Sequence, residues 1–359
     1  MHATKGVSKH LGRRRVLASA AAISAAAVIS RPARADTVVN FAGAGGLFQD
    51  LYTKAVVDPF MRANPGIRIE YNAPGNSAAT LGALRAQKSS PQFDVAIMDI
   101  TIAKAGSDEG LFDPIDEAVS PHVKDLFPQA RMPGANLAGV TFDSVVLVYD
   151  KTVMKQAPTS WRALWDPAVD HKVALHGAPD ILGMALTVLL EKMDGGTDWN
   201  HNLERGIQAM MTLAPHVLTW DPKPDLWGMV MAQQAAMGVG YNARSQVFSE
   251  QPNSVLAASI PSEGTMFQIN AATLVKNGPQ PAAARKFVDY ILSPTAQKSF
   301  AEAMFYGPTN AKADLSKAVM ARIRPSDMSK VIDVDWLELA KIRDKVTQDW
   351  RRRVIPLSR

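Results

Sequence analysis

The amino-acid sequence predicts an α/β protein with two lobes, each built on a mainly parallel β-sheet that helices cover. A β-branched run, a polar or glycine-rich turn and a helical pattern follow one another repeatedly, starting from predicted strands at 37–42, 67–71 and 94–98. Such alternation with short connections favours parallel sheets. The chain has 359 residues, of which 47% are apolar, which is enough for two cores of roughly 150 residues each.

Two strand-forming segments set the predicted lobe boundaries. The run VTFDSVVLVYD at 140–150 follows a complete set of strands and helices, so we interpret it as the first crossing between lobes. The segment at 271–275 is interpreted as the crossing back. We therefore predict lobe 1 to comprise residues 36–143 plus 272–359, and lobe 2 to comprise residues 144–271.

The alternation continues through the second lobe and ends in a C-terminal helix. Strands are predicted at 172–175 and 216–220, and another one ends at Tyr241, with helices between them. From Asp335 onwards, apolar residues recur at steps of three and four up to Trp350. This periodicity predicts one apolar helix face that clamps a lobe.

The first 35 residues have the three parts of a secretory signal peptide. A basic start precedes a small-residue apolar run from Ala18 to Ile29 and an A-x-A cleavage site at 33–35. The order Arg-Arg-Arg-Val-Leu at 13–17 is typical of a twin-arginine signal, and an ordinary Sec signal with a basic start is the alternative. The apolar run is shorter than the roughly 20 residues that span a bilayer. We predict an exported protein that begins near Asp36.

The charge of the chain changes sign when this segment is removed. The formal charge of the full sequence is +5. Residues 1–35 contain seven lysines and arginines and no acidic residue, so the remainder carries −2. A mildly acidic mature chain argues against a nucleic-acid partner. There is no cysteine, which excludes disulfides, thiolate metal sites and a thiol nucleophile.

Sequence motifs of common enzymes are absent. The sequence has no H-E-x-x-H, G-x-S-x-G, P-loop or S-x-x-K pattern. The predicted mature chain has five histidines, and no two are spaced as ligands on one helix face or strand. Gly43-Ala-Gly-Gly46 resembles part of a dinucleotide fingerprint, but Phe48 stands where that pattern needs its last glycine. We predict neither a catalytic residue, nor a metal site, nor a cofactor.

Polar residues follow several predicted strands, where ligands bind in open α/β sheets. Gly45, Asn76, Ser77 and Asp99 lie just after the first three strands. A second group lies between 238 and 275, and comprises Tyr241, Asn242 and Arg244 together with Gln268 and Asn270. We expect both groups to face a ligand held between the lobes.

The order of several segments resembles the periplasmic solute-binding proteins of ABC importers, in the branch that contains the spermidine/putrescine-binding proteins. The segments that carry this resemblance are PGIRIEYN, LRAQKSSPQFDVAIMD, EGLFDPID, TFDSVVLVYDK, SWRALWDP, IPSEGT, ARKFVDYILSPTAQKSFA and YGPTN. They extend over nearly all of the predicted mature chain. The resemblance implies a type II periplasmic-binding-protein fold, two crossing strands and a small solute. It also implies delivery to a membrane permease with ATPase subunits, and we expect the binding protein to be a monomer.

The resemblance also adds residues to the candidate site. Tyr241 and Asn242 match the aromatic residue and asparagine of this branch, and Asp180 matches an acidic position. The full set of predicted ligand-binding residues is Gly45, Asn76, Ser77, Asp99, Asp180, Trp220, Tyr241, Asn242, Arg244, Gln268 and Asn270.

The residues that depart from the polyamine-binding pattern favour a different ligand. Gln268 and Asn270 stand where polyamine binders have a tryptophan and an aspartate that pack on and neutralise the cation, and Gly177 replaces a carboxylate. Arg244 is suited to a carboxylate or phosphonate if it faces the cleft; the alternative is that it points to solvent. We therefore expect a polyamine-like or amphoteric amine. Ferric iron is a weaker alternative, because related iron binders use adjacent tyrosines, and an exported enzyme on the same fold is a rival.

Overall fold

The computed structural model describes residues 37–324 and 328–358. The predicted signal peptide at 1–35 lies outside the described residues. Within these two ranges, every helix is too short or too polar to span a lipid bilayer.

Eleven strands form one mixed sheet. In chain order they are β1 (Thr37–Ala42), β2 (Ile67–Asn72), β3 (Val95–Asp99), β4 (Phe112–Asp113), β5 (Ala138–Asp150), β6 (Val173–Ala174), β7 (Val217–Thr219), β8 (Met237–Tyr241), β9 (Leu256–Ser259), β10 (Phe267–Val275) and β11 (Gly307–Pro308).

Helices cover both ends of this sheet. The α-helices are α1 (Leu47–Tyr52), α2 (Asp58–Ala63), α3 (Ser77–Ala86), α4 (Ile100–Asp108), α5 (Ile181–Met193), α6 (Glu204–Leu213), α7 (Leu226–Met231), α8 (Asn242–Ser249), α9 (Pro281–Leu292), α10 (Pro294–Met304), α11 (Lys317–Ile323) and α12 (Trp336–Asp349). A π-helical turn at Thr53–Val57 joins α1 to α2, and another at Trp350–Val354 continues α12.

Two long antiparallel strands join two parallel parts of the sheet. The main path runs β2-β1-β3-β10-β5-β8-β6-β7. β1 pairs in parallel with β2 and β3 at one end, and β6 pairs in parallel with β7 and β8 at the other. In the middle, β10 is antiparallel to β3 and β5, and β5 is antiparallel to β8. The predicted alternation and the first predicted crossing are therefore found in the structure.

All residues of β5 are buried, and they contribute to more than one hydrophobic core. Ala138, Val140 and Phe142 belong to a first core, which also includes β1, β3, β10 and α9. Val145 and Leu147 belong to a second core with α5 and α6. β5 therefore connects the two cores through one continuous backbone, as expected of a strand that crosses between lobes.

The C-terminal helix packs in the second core. Leu339 and Val346 of α12 and Trp350 after it are among the buried residues of that core. The Trp350 ring lies edge-on to Trp220, with ring centroids 5.1 Å apart, and its Nε1 donates to Thr187 Oγ1 at 3.1 Å. The predicted apolar face therefore exists, but it contacts the core opposite to the one to which residues 272–359 were assigned. The lobe boundaries themselves stay a prediction.

Candidate functional site

A cavity of about 330 Å³ lies where residues of both cores meet. Its lining residues are Gly43, Ala44, Gly45, Phe48, Asn76, Ser77, Thr80, Ile97, Asp143, His176, Asp180, Ile181, Leu182, Trp227, Tyr241, Arg244, Gln268, Asn270, Met304 and Tyr306. Phe48, Ile97 and Met304 belong to the first core, whereas Leu182 belongs to the second. A ligand in this cavity would contact both parts of the molecule.

The turn after β1 brings backbone close to the cavity because it contains glycine. A Cβ atom at Gly43 would lie 2.4 Å from the Tyr71 hydroxyl oxygen, so a side chain is excluded there. The Tyr71 hydroxyl donates to the Ala44 carbonyl oxygen at 2.7 Å and holds the turn. Beside it, Asn76 caps α3 by accepting from the Ala79 N–H at 2.9 Å. Local turn chemistry therefore fixes this wall of the cavity.

Eight of the eleven predicted ligand-binding positions line the cavity. They are Gly45, Asn76, Ser77, Asp180, Tyr241, Arg244, Gln268 and Asn270. The structure thus brings together residues that are separated by more than 200 positions in the chain, because the amino end of the antiparallel strand β10 lies beside the carboxyl end of β3. Their contact with a ligand stays a prediction.

The other three predicted positions are not among the residues that line the cavity. Asp99 caps α4 through the Thr101 N–H and accepts from Gln268 Nε2 at 3.0 Å. Trp220 packs on Trp350 and donates to Ser358. Asn242 is 1% exposed.

Each of these three side chains has a partner within the protein. Asn242 Nδ2 donates to the Arg322 carbonyl oxygen at 2.7 Å, and its Oδ1 accepts from Gln246 Nε2 at 3.0 Å. Asp99 holds Gln268, and its charge contributes to the raised pKa of Tyr241, which lines the cavity. The contact of these three residues with a ligand stays a prediction.

Gln268 and Asn270 form an oriented pair of uncharged amides on β10. Gln268 Nε2 donates to Asp99 Oδ2 and to Asn270 Oδ1, both at 3.0 Å. Asn270 Nδ2 in turn donates to Thr141 Oγ1 at 3.0 Å. Because their N–H groups are used inside the protein, these two side chains present a polar, neutral surface to the cavity. This surface differs from the charged surface of a polyamine site.

Arg244 is among the residues that line the cavity. It lies in the first turn of α8, and its guanidinium carbon is 4.9 Å from the centroid of the Trp227 ring. Its Nη1 lies 3.7 Å from Asp225 Oδ2, and the side chain is 41% exposed. Stacking on an aromatic face holds a guanidinium in place while leaving its N–H edge available for an anion.

Asp143 is a cavity residue that the sequence interpretation missed. It lies on β5, is 3% exposed, and its Oδ1 accepts from the Ala243 N–H at 2.9 Å. Burial raises the pKa of this carboxyl to about 8, although the Ala243 and Asn242 N–H groups and Arg244 act in the opposite direction. A carboxylate inside the apolar run TFDSVVLV was the available signal, since aspartate is rarely buried unless it has a partner.

Asp180 supplies a second carboxylate on the wall formed by the second core. It caps α5 by accepting from the Leu182 N–H at 2.8 Å, and its Oδ2 lies 3.9 Å from His176 Nδ1. Burial raises the pKa of the Tyr241 and Tyr306 phenols, so both remain uncharged. The cavity therefore presents one guanidinium, two carboxyl groups, neutral phenols and neutral amides.

The described residues offer no arrangement suited to a metal ion. Over 37–324 and 328–358, histidine, aspartate and glutamate side chains form no group of three or more that could coordinate one.

A family model for bacterial extracellular solute-binding proteins matches residues 55–323. The chain belongs to this family. It is 29% identical over 286 residues to the gamma-aminobutyric acid-binding protein of Pseudomonas aeruginosa, covering 76% of each chain. It is also 22% identical over 263 residues to the spermidine/putrescine-binding periplasmic protein of Salmonella typhimurium, covering 69% of this chain and 72% of the relative.

The fold of this family member also matches solved structures. The Atu4243-GABA receptor superimposes with a TM-score of 0.71 at 21% identity, covering 88% of this chain and 96% of that one. At this identity the likeness shows the fold alone. The predicted family resemblance and the two-lobed α/β fold class are confirmed. This solute-binding protein has relatives that are named for binding and not for catalysis.

Proposed function

We propose that this protein is the periplasmic solute-binding component of an ABC importer and that its ligand is a small amphoteric amine. The observation that carries the proposal is that Arg244 lines the same cavity as the carboxyl group of Asp180. Opposite charges in one enclosed space complement a molecule that has an ammonium group and a carboxylate. The cavity of about 330 Å³ is at the small end of the range of ligand sites, roughly 300–1,000 Å³.

Arg244 is suited to the carboxylate end of such a ligand. A guanidinium can donate two parallel hydrogen bonds to a carboxylate, and hydrogen bonds to charged groups contribute about 1.5–3 kcal/mol each. The Trp227 ring, 4.9 Å from the guanidinium carbon, restricts the arginine before a ligand arrives. Less conformational entropy is then lost on binding.

The ammonium end is suited to the carboxylate of Asp180, which lines the same cavity. The aromatic ring of Tyr241 also lines the cavity and favours a cation at its face. Asp99 contributes indirectly, since it holds Gln268 at 3.0 Å.

Several contacts argue against a polyamine as the preferred ligand. Gln268 and Asn270 are uncharged, and their N–H groups already donate to Asp99 and Thr141. A polyamine would also bring two or more positive charges next to Arg244. The named relatives include both a gamma-aminobutyric acid-binding protein and a spermidine/putrescine-binding protein, and the charge pattern favours the first class.

The proposed importer needs a membrane permease, ATPase subunits and a periplasmic, monomeric binding protein. Closure of two lobes on a ligand would exclude water and create a surface that the permease distinguishes from the open form. Size-exclusion chromatography of the mature chain tests the prediction that the protein is a monomer.

Calorimetric titration of the mature protein with γ-aminobutyrate, putrescine and spermidine tests the ligand class. We expect γ-aminobutyrate to bind more tightly than either polyamine. Arg244→Ala should weaken γ-aminobutyrate binding at least tenfold, which corresponds to about 1.4 kcal/mol.

Arg162→Ala is a matched control for this variant. Arg162 also lies over a tryptophan ring, at 5.1 Å from Trp165, and pairs with an aspartate, but it does not line the cavity. We expect it to leave affinity unchanged. Tighter binding of putrescine, or an affinity for γ-aminobutyrate that Arg244→Ala does not alter, would contradict the proposal.

A further inference from the structure

Asp143 connects the strand between the two cores to the helix that carries Arg244. α8 begins after Tyr241 without a side-chain cap of its own. Asp143 supplies that cap from β5, because its Oδ1 accepts the Ala243 N–H at 2.9 Å, one residue before Arg244. The same carboxyl group lines the cavity and is 3% exposed. Its charge therefore acts on the ligand space and on Arg244 with little screening by water.

Arg244, Tyr241 and Tyr306 interact electrostatically with Asp143. Arg244 lowers the pKa of Asp143, while burial raises it to about 8, which is the larger effect. Asp143 in turn contributes to the raised pKa of the phenols Tyr241 and Tyr306. His176 and Asp180 also line the cavity, and Asp225 Oδ2 lies 3.7 Å from Arg244 Nη1.

We propose that Asp143 is a specificity-determining residue that competes with the carboxylate of the ligand for the positive charge of Arg244. This inference rests on the proposed function, in which a ligand carboxylate binds to Arg244. When Asp143 is protonated, Asp225 is the carboxylate that stays beside the guanidinium, at 3.7 Å, and a carboxylate ligand is favoured. When Asp143 is ionised, a second negative charge acts on Arg244 and repels that carboxylate.

Proton uptake should therefore accompany binding of a carboxylate ligand at alkaline pH. A single proton taken up on binding changes the apparent affinity by up to about tenfold per pH unit above the pKa of the free site. With that pKa at about 8, the Kd should rise about tenfold between pH 7 and pH 9. Arginine keeps its charge over this range, so the change follows Asp143.

Titration calorimetry with γ-aminobutyrate between pH 6 and pH 9 tests the inference. We expect the wild-type Kd to rise about tenfold from pH 7 to pH 9 and nearly one proton to be taken up at pH 9, measured in buffers of different ionisation enthalpy. Asp143→Asn keeps an acceptor for the Ala243 N–H, so we expect it to retain binding with a Kd that is flat over this range.

Two further variants of the cavity separate Asp143 from its neighbours. Asp180→Asn and His176→Asn change two other titratable groups that line the cavity. We expect both to keep the alkaline rise in Kd, whatever their affinity at pH 7. If Asp143→Asn does not fold, the proton uptake of the wild-type protein at pH 9 becomes the deciding test of the inference.

The outcomes distinguish this inference from the proposed function. A wild-type protein that binds γ-aminobutyrate at no pH overturns both. Binding with a Kd that does not change between pH 7 and pH 9 overturns the inference alone, as does an alkaline rise that persists in Asp143→Asn.

Discussion

Substitution of Asp143 by asparagine should stabilise the ligand-free protein, and the gain should depend on pH. The pKa of this carboxyl rises from 3.8 in a solvated chain to about 8 in the fold because the group is buried. Between these values the folded state holds a proton that the unfolded state releases, so the contribution to stability is complete below pH 3.8 and is lost as the pH rises to about 8. Each pH unit in this window removes about 1.4 kcal/mol.

At pH 7 this loss amounts to about 4 kcal/mol, since about three units separate pH 7 from the pKa of the unfolded chain. Asparagine does not titrate, and it keeps the acceptor for the Ala243 N–H. The free energy of unfolding of Asp143→Asn should therefore exceed that of the wild type by up to about 4 kcal/mol at pH 7, and by little at pH 4.

Thermal unfolding followed by circular dichroism from pH 4 to pH 9 measures this difference. For a chain of this size, 1 kcal/mol corresponds to roughly 2 °C in Tm, so the two melting curves should separate by several degrees at neutral pH. Asp108→Asn is the control, because Asp108 has a side chain that is 60% exposed and its charge is solvated. A difference in Tm between Asp143→Asn and the wild type that stays constant from pH 4 to pH 9 would refute the reasoning.

Three other substitutions test the packing and the ion pairs. Trp350→Ala removes a fully buried ring and should cost about 3–5 kcal/mol in urea unfolding; a loss below 1 kcal/mol would contradict its place in the core. Gly206→Ala would place a Cβ 2.2 Å from the Thr187 carbonyl oxygen and should lower Tm, although alanine ordinarily favours a helix; a higher Tm would show that α5 and α6 adapt. Glu204→Gln breaks the pair with Arg353, which holds the pKa of Glu204 at about 2, and the side chain is 46% exposed. The pair should therefore add at most about 1 kcal/mol, present above the ordinary pKa of 4.5 and lost as the pH falls towards 2, so the Tm difference from wild type should vanish at pH 2.

Much of the fold follows from local periodicity. β1 begins and ends as predicted, and β2 and β3 differ from the prediction by one residue at their ends. Runs of β-branched residues that are bounded by turn residues indicate both the presence of a strand and its ends. The helix predicted between residue 220 and the strand that ends at Tyr241 fills only part of that interval, since α7 ends at Met231. Gln233 adopts a positive φ of 57°, which a continuing helix does not allow. No glycine or asparagine stands at this position to indicate the positive φ in the sequence.

The partner of an amphipathic helix cannot be predicted from its own sequence. Apolar residues recur at steps of three and four up to Trp350 and predict a buried helix face, but they do not indicate which core buries this face. The same limit applies to Trp220, which was included among the predicted ligand-binding residues. Its ring contacts Trp350, which lies 130 residues further along the chain.

The candidate site was predictable where strands end and unpredictable where a strand passes through. Asn76, Ser77 and Tyr241 follow strands, and the carboxyl edge of a parallel sheet brings them together. Asp143 lies in the middle of β5. The apolar sequence of this strand indicates burial, but it does not indicate which group pairs with the buried carboxyl group. Tyr306 reaches the cavity from the turn after α10, and no pattern in the sequence connects that turn to the strands.

The return of the C-terminal segment to the second core has a consequence for biosynthesis. Trp350 and Val354 complete a core whose other members begin at Val145. During translation this core stays open until Trp350 and Val354 have been made, whereas α9 and α10 complete most of the first core earlier. We therefore expect the first core to form before the second. Contacts over such a long stretch of sequence slow folding, and the interval leaves apolar surface available to chaperones.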